Sequence, residues 1–453
     1  MERTLGDLPV SKTGIRLLFV VLLLVLSAPV VSSYQSFQQR GSTEGESVTG
    51  PGVPLGADDV LVVTTQDGPT RGAALTAFGS DGTVLFKSSR LSQYYDVDPV
   101  AGTQSSVIVV GRAEIPLDEC PVDTRRLDAS SCAETVVQRV NLTTWEHEEI
   151  LSYEAGDWHD VDKIGPDRYL VAHIGQDRVL VYNATSETVD WGWNAKTAYN
   201  VSSGGTYPGD WTHLNDVEHL HDGRVMVSLR NHDQVVFVNK TTGIDKSWTL
   251  GADGAHSTLF EQHNPDYINE SNGGPAVLVA DSENDRVVEY QRVSGEWRQT
   301  WTWGVDLQWP RDADRLPNGN TLVVDSHGDR VIVVDHRGEI VREVTVNTPY
   351  DAELLGSGDE STGGESARSL GIASRGTVTL GEGSQGSIYT GDGGVASQIK
   401  SAVPSIVLNS VKFVLPIWIH TKQLLFIGLM LLSVVTWGVL ELRWSNLRIS
   451  WER

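Results

Sequence analysis

A seven-residue pattern built around an aspartate recurs six times along the chain, and it constrains the fold more than any other feature. The copies are "YYDVDPV" (from 94), "WHDVDKI" (158), "LNDVEHL" (214), "NPDYINE" (264), "PRDADRL" (310) and "PYDAELL" (349). They share Asp96, Asp160, Asp216, Asp266, Asp312 and Asp351. Most are followed by alternating apolar runs broken by a turn, as in "VMVSLRNHDQVVFVN" and "TLVVDSHGDRVIVVD", then by a run carrying Trp or Glu. Alternation with period two marks half-buried strands. Four-stranded units repeating at this spacing are the signature of a β-propeller. Residues 59–88 supply outer strands but no aspartate strand of their own, and "PYDAELL" is the strand that completes them. The expected fold is all-β: a six-bladed β-propeller over residues 58–356 with no open sheet edge.

Apolar segments flank the repeats. Residues 17–34 follow Arg3, Lys12 and Arg16 and read as a signal anchor or signal peptide after a short tail, 1–16. Residues 424–442 are long enough to span a bilayer, and Arg443, Arg448 and Arg453 lie in the tail 443–453. The positive-inside rule places both tails in the cytoplasm, if the first segment is uncleaved, and the propeller on the extracellular face of the cell membrane. The fold class thus includes N- and C-terminal transmembrane segments. Residues 35–57 and the Gly/Ser-rich 357–401 read as linkers, and 402–420, interrupted by Lys412 and two prolines, as an interfacial apolar segment.

Composition agrees with an external site. The formal charge is −24, from 59 acids against 35 bases, which excludes nucleic acid as a partner. Arginine far outnumbers lysine, and an acidic surface of this kind suits a halophile. The two cysteines, Cys120 and Cys132, bracket a short polar loop as a disulfide would in an oxidising compartment. Sequons at Asn141, Asn183, Asn200, Asn239 and Asn269 fall in the same segment. Asn183 and Asn239 occupy matching turns, where asparagine also serves the backbone.

The repeat separates scaffold from site. In a propeller the start of each innermost strand and the turn between the second and third strands meet above the central channel. Side chains alternate along a strand, so the residues one and three before each shared aspartate point alike. These are Gln93/Tyr95, Asp157/His159, His213/Asn215, His263/Pro265, Trp309/Arg311 and Thr348/Tyr350. The turns add His173, Arg230, Asn231, His232, Asn284 and His327. Residues present in every blade, such as Asp216 and the Asp-Arg pairs ending in Arg178, Arg286 and Arg330, are structural in the first instance. His213 and Asn215 are not explained by the repeat. Arg286 is a repeat residue that also lies where a site would be.

At these residues the chain resembles the aryl sulfotransferases that move a sulfuryl group between phenols without a nucleotide donor. "DWTHLNDV" is similar to the family's D-W-x-H-x-N stretch, "VSLRNHDQVVFVN" to its S-x-R-H strand and turn, and "FEQHNPDYI" to its Q-H segment. The resemblance is best over residues 205–345. Two departures stand out: Asn231 separates Arg230 from His232, and Asn264-Pro265 follows the Q-H segment. The resemblance implies attack of a histidine on an aryl sulfate, a sulfohistidine intermediate, and transfer to a phenol. It points to His327 as nucleophile and to His213 or His263 for proton transfer. Arg230, Arg286 or Arg311 would stabilise the sulfuryl oxygens, with Asn215, His232 and Asn264 also binding substrate. No cofactor or metal is implied.

Two other readings compete. A non-catalytic, membrane-anchored propeller would use the same mouth to bind a glycan or a cell-envelope protein. A metal site is invited by histidines and acids on one face, although no H-x-x-x-H or calcium-loop spacing is present.

Overall fold

The computed structural model describes residues 11–40, 48–57, 59–66, 72–116, 131–154, 157–376, 405–416, 418–419 and 421–445. Six antiparallel sheets form the six blades of a propeller. The innermost strands of blades 2 to 6 are Gln93–Pro99, Trp158–Lys163, Leu214–His219, His263–Ile268 and Pro310–Asp312. Blade 1 takes its innermost strand, Pro349–Leu354, from the far end of the repeats. That strand pairs with Leu61–Thr65 in the register Leu61 to Leu354 and Val63 to Ala352, so the ring closes as the missing aspartate strand predicts.

Blades are held together by apolar faces and by a recurrent polar stitch. Between blades 3 and 4, for example, Leu170, Val179, Trp211, Leu214 and Val227 are fully or almost fully buried. Burying each such side chain is worth about 1.5–3 kcal/mol. The shared aspartates reach across to the next innermost strand. Asp351 accepts from the Val97 amide at 2.8 Å, Asp96 from Val161 at 3.2 Å and Asp160 from Val217 at 2.5 Å. In each pair the amide belongs to the residue after the next blade's own aspartate, which gives these three copies a reason to keep the acid. A second acid two residues on repeats the device: Asp162 accepts from His219 and Glu218 from Tyr267.

A second stitch sets where each innermost strand begins. The turn residues Asp177, Asp233, Asp285 and Asp329 all have φ between 51 and 57°, a left-handed conformation that aspartate tolerates better than most residues. Their Oδ1 atoms accept from the amides of Thr212, Glu261, Trp309 and Thr348. Arg286 and Arg330 brace the same turns through Asp281 and Asp325, at 2.7 and 2.8 Å.

The flanking segments depart from the composition in one place. Residues 357–376 read as part of a linker, yet they pack on the propeller. Ser361 donates to Asp266, the Ala367 amide donates to Glu289, and Arg375–Gly376 adds a parallel pair to Trp303–Gly304. The segment is poor in apolar groups because it binds through polar ones, satisfying buried acids of blade 5. Helix α1 (Lys12–Arg40) and the last helix, α4 (Thr421–Trp444), contain stretches long and apolar enough to cross a membrane. They lie antiparallel against each other, with Phe19 stacked on Trp437 and Ser33 bonded to Trp418 just ahead of α4. Between α2 (Ala367–Leu370) and α4, the amphipathic α3 (Ser405–Val414) docks on the propeller. It buries Leu408, Asn409 and Lys412 and leaves Ile406, Val407, Val411 and Val414 exposed.

All five sequon asparagines terminate turns. Asn141, Asn183, Asn200, Asn239 and Asn269 each accept a backbone amide two or three residues on. Cys132 lies on the strand Ser131–Asn141, whereas Cys120 falls outside the described residues.

Candidate active site at the head of the central channel

Each innermost strand changes register where it meets its neighbour. The pairing skips the residue before the shared aspartate: Tyr95, His159, Asn215, Pro265, Arg311 and Tyr350 all fall within such shifts. Bulges re-aim side chains, and here they fall on residues of five different types, tyrosine occurring twice. Backbone strain accompanies them, with His213 at φ 47°, Asn264 at 34° and Trp309 at 55°. The turn aspartates described above hold the residues just ahead of His213, Arg311 and Tyr350, and Glu261 just ahead of Gln262-His263. The scaffold of one blade therefore positions the functional side chain of the next.

Three imidazoles converge. The rings of His159 and His213 are 6.1 Å apart and those of His213 and His263 are 6.4 Å apart. The Tyr350 ring lies 5.2 Å from His159 and 6.4 Å from His263, and Tyr95 stacks on His159 at 4.7 Å. Burial lowers all three imidazoles. His213, with Arg230 as the next cause, falls to about 4, and His159 and His263 lie well below the ordinary histidine value. At neutral pH they are therefore uncharged, with a lone pair on one nitrogen each.

Hydrogen bonding fixes which nitrogen that is in His263. The Ser282 hydroxyl donates to the Pro310 carbonyl at 2.6 Å, so its oxygen can only accept from His263 Nδ1, 2.8 Å away. Nε2 is left unprotonated, and it accepts from the Arg311 guanidinium. Arg311 is buried, lies 3.7 Å above the Trp309 ring, and falls only to about 10, so it stays charged. His213 is oriented differently: its Nδ1 donates to the Asp210 carboxylate at 2.6 Å, and that bond draws Asp210 down to about 2. Arg230 pairs with Glu261 beside this cluster. Asn215 holds the Gln262 carbonyl, and its own carbonyl accepts from His159 Nδ1 at 3.1 Å.

Three other residues singled out from the sequence sit elsewhere. His327 packs tilted against Trp309 with ring centroids 4.2 Å apart, beneath α3, with Asn409 3.3 Å from its Nδ1 and Lys412 donating to its carbonyl. His232 is wedged between Tyr199 and Trp211, bonded to Ser203. Arg286 spends its guanidinium on Asp281 and on the Ser257 and Thr258 carbonyls. Conversely, His159 and Tyr350 belong to the cluster although only their place in the repeat marks them; blade-to-blade difference at that position was the available signal.

Below the cluster a cavity of about 20 Å³ is lined by His159, Asn215, Asn264 and Tyr350 above and by acids beneath. That space is water-sized, too small for an aromatic ring. Burial and neighbouring carboxylates push acids such as Asp312 and Asp314 well above the ordinary range.

Residues 195–347 match the family model described as Arylsulfotransferase (ASST). The match covers the segment that supplies His213, Asn215, Arg230, His263 and Arg311. No curated protein matches the chain. Among solved structures, a putative 6-phosphogluconolactonase from Bacteroides fragilis is 12% identical, with TM-score 0.44, covering 66% of this chain and 98% of its own. The periplasmic gluconolactonase of Pseudomonas aeruginosa is 14% identical (TM-score 0.43; 66% and 99% covered). Virginiamycin B lyase from Staphylococcus aureus is 7% identical (TM-score 0.38; 66% and 88% covered). Likeness at this level carries no inference about activity.

Proposed function

We propose that the chain is an aryl sulfotransferase that moves a sulfuryl group from an aryl sulfate ester to a phenolic acceptor. The observation that carries this reading is the unprotonated Nε2 of His263 beside the Arg311 guanidinium, within the segment that matches the family. In the first half-reaction the Arg311 guanidinium passes from Nε2 to the sulfuryl oxygens as Nε2 attacks sulfur. The N–S bond forms as the S–O bond breaks, and the phenolate leaves with a proton relayed from solvent through His213. In the second half the acceptor phenol loses its proton to neutral His213 as its oxygen attacks sulfur and the N–S bond breaks. Arg311, and Arg230 beside it, stabilise the equatorial sulfuryl oxygens in both steps. His263 takes the nucleophile's role in this scheme in place of His327, whose neighbours are Trp309 and α3. Substrate-binding roles for Asn215 and Asn264 are retained.

We also infer membrane anchoring through α1 and α4, with the propeller outside in a salt-rich milieu. A Cys120–Cys132 bond and glycans on the turn asparagines belong to the same reading. The test is release of nitrophenolate from 4-nitrophenyl sulfate by the full chain in high salt. Without acceptor we expect a burst of about one equivalent, and with phenol steady turnover; His263→Ala abolishes both. A burst that survives in His263→Ala and vanishes in His327→Ala would move the nucleophile. No burst from a folded chain would favour the binding propeller.

A further inference from the structure

The channel beneath the imidazoles concentrates carboxylates that sulfuryl transfer does not use. Asp266, Asp312 and Asp314 are buried, and one oxygen from each lies within 4.8 Å of the other two. Further acids, including Asp216, Asp351 and Glu353, line the same cavity. Among the described residues, no lysine or arginine forms an ion pair with any of them. Buried carboxylates without a countercharge are costly unless they are protonated or bind a metal.

A second observation points to a ligand. Asn215 is 1% exposed. Its Nδ2 donates to Gln262, and its Oδ1 has no hydrogen-bond partner in the cavity it lines. Oδ2 of Asp216, Asp312 and Asp314 is likewise bare. The result is a set of buried oxygens, several of which have no hydrogen-bond donor against them, around a space large enough for an ion. Two oxygens about 2.4 Å from a shared calcium ion lie up to roughly 4.8 Å apart, and the three carboxylate oxygens lie within that distance of one another. An all-oxygen set of this kind selects a hard divalent cation over a soft one.

We propose that the propeller channel binds a divalent cation of the calcium class on Asp266, Asp312 and Asp314. The ion bridges the innermost strands of blades 5 and 6. Through the Ser361 hydroxyl on Asp266, it also ties down the segment that follows the repeats. The cation takes no part in the reaction assigned to the imidazoles, and its test does not read activity.

The experiment uses the full chain in detergent and high salt, stripped with a chelator and titrated calorimetrically with calcium chloride, with magnesium and manganese as competitors. Thermal melts are run at constant ionic strength. We expect binding of about one equivalent, a saturable rise in Tm, and at least roughly tenfold weaker binding in Asp314→Asn. Asp190→Asn, a surface carboxylate change, leaves binding unaltered. The proposal is overturned if the wild-type chain binds none of the three ions, or if Tm follows ionic strength alone. It is also overturned if a folded Asp314→Asn binds calcium as tightly as wild type. The wild-type titration decides the matter even if the variant does not fold.

Discussion

Nε2 of His263 faces the guanidinium of Arg311, while Nδ1 of the same ring is committed to Ser282. A neutral imidazole whose unprotonated nitrogen accepts from a cation is set to attack an anionic sulfate ester when that cation passes to the sulfuryl oxygens. The cation lies where negative charge gathers on sulfuryl oxygens, and it cannot protonate the attacking nitrogen at neutral pH.

If Arg311 stabilises that charge, Arg311→Met lowers kcat by roughly 10²–10³, about 2.7–4 kcal/mol of transition-state stabilisation. Arg311→Lys restores part of it. Initial rates with 4-nitrophenyl sulfate over a range of acceptor concentrations measure both, and an unchanged kcat in Arg311→Met would remove the residue from the chemistry.

The Asp210–His213 pair predicts a dependence on the acceptor. Asp210→Asn removes the carboxylate that orients His213, so weakly acidic phenols lose about 10²-fold or more in the second half-reaction. Acidic phenols, already ionised, are affected far less. Rates across a series of phenols of graded pKa give the slope, and a uniform loss would contradict the proton-transfer role.

The imidazole shifts give a pH prediction with a definite sign. In the unfolded chain a histidine titrates near pH ~6.5, whereas folded His213 does so near 4 and His159 and His263 well below 6.5. The unfolded state therefore binds protons first. The stability these residues contribute is complete above about pH 6.5 and is lost as pH falls toward 4. Activity keeps its neutral imidazoles over the same range, so the acid limb of the burst rate lies well below pH 6.5. Stopped-flow bursts and melts from pH 4.5 to 8 test both halves.

Arg286 is expected to matter for stability alone. Its guanidinium is bonded to Asp281, whose side chain is fully buried. Arg286→Ala strands that carboxylate at a cost of about 3–5 kcal/mol. Tm drops, while kcat measured well below the transition stays at the wild-type value.

The shared aspartates make a separate prediction. Asp351→Ala removes the acceptor for the buried Val97 amide and costs about 1–3 kcal/mol. Asp351→Asn keeps an acceptor oxygen there and removes a charge from a crowd of carboxylates, so its Tm lies above that of the alanine variant.

The fold was legible because a propeller is written in its repeat: six aspartates, several of which accept the next strand's amide, and alternating runs between them. The site was legible only in part. Period-two counting put His159, His213, Asn215, His263, Arg311 and Tyr350 in one tier, and the structure brings that tier together through six register shifts. Turn histidines carry no such rule. Nothing local distinguishes His232, packed between Tyr199 and Trp211, or His327, packed against Trp309, from a residue open to the channel. The acidic channel was hidden for another reason. Asp266 belongs to one blade and Asp312 and Asp314 to another, so no short spacing announces them. The segment after the repeats looked like a linker because its contacts are hydrogen bonds to buried acids, which leave no mark on hydropathy.

The pairing of Leu61–Thr65 with Pro349–Leu354 also dictates an order of events during synthesis. The first blade is made early and stays incomplete until almost the whole ring has followed it. Until then it offers a bare strand edge, the kind of surface on which chains stick to one another. Any message cut short before codon 349 yields a product whose first and last blades both lie open. The latch that gives the finished ring its permanence is also what makes each unfinished copy hazardous.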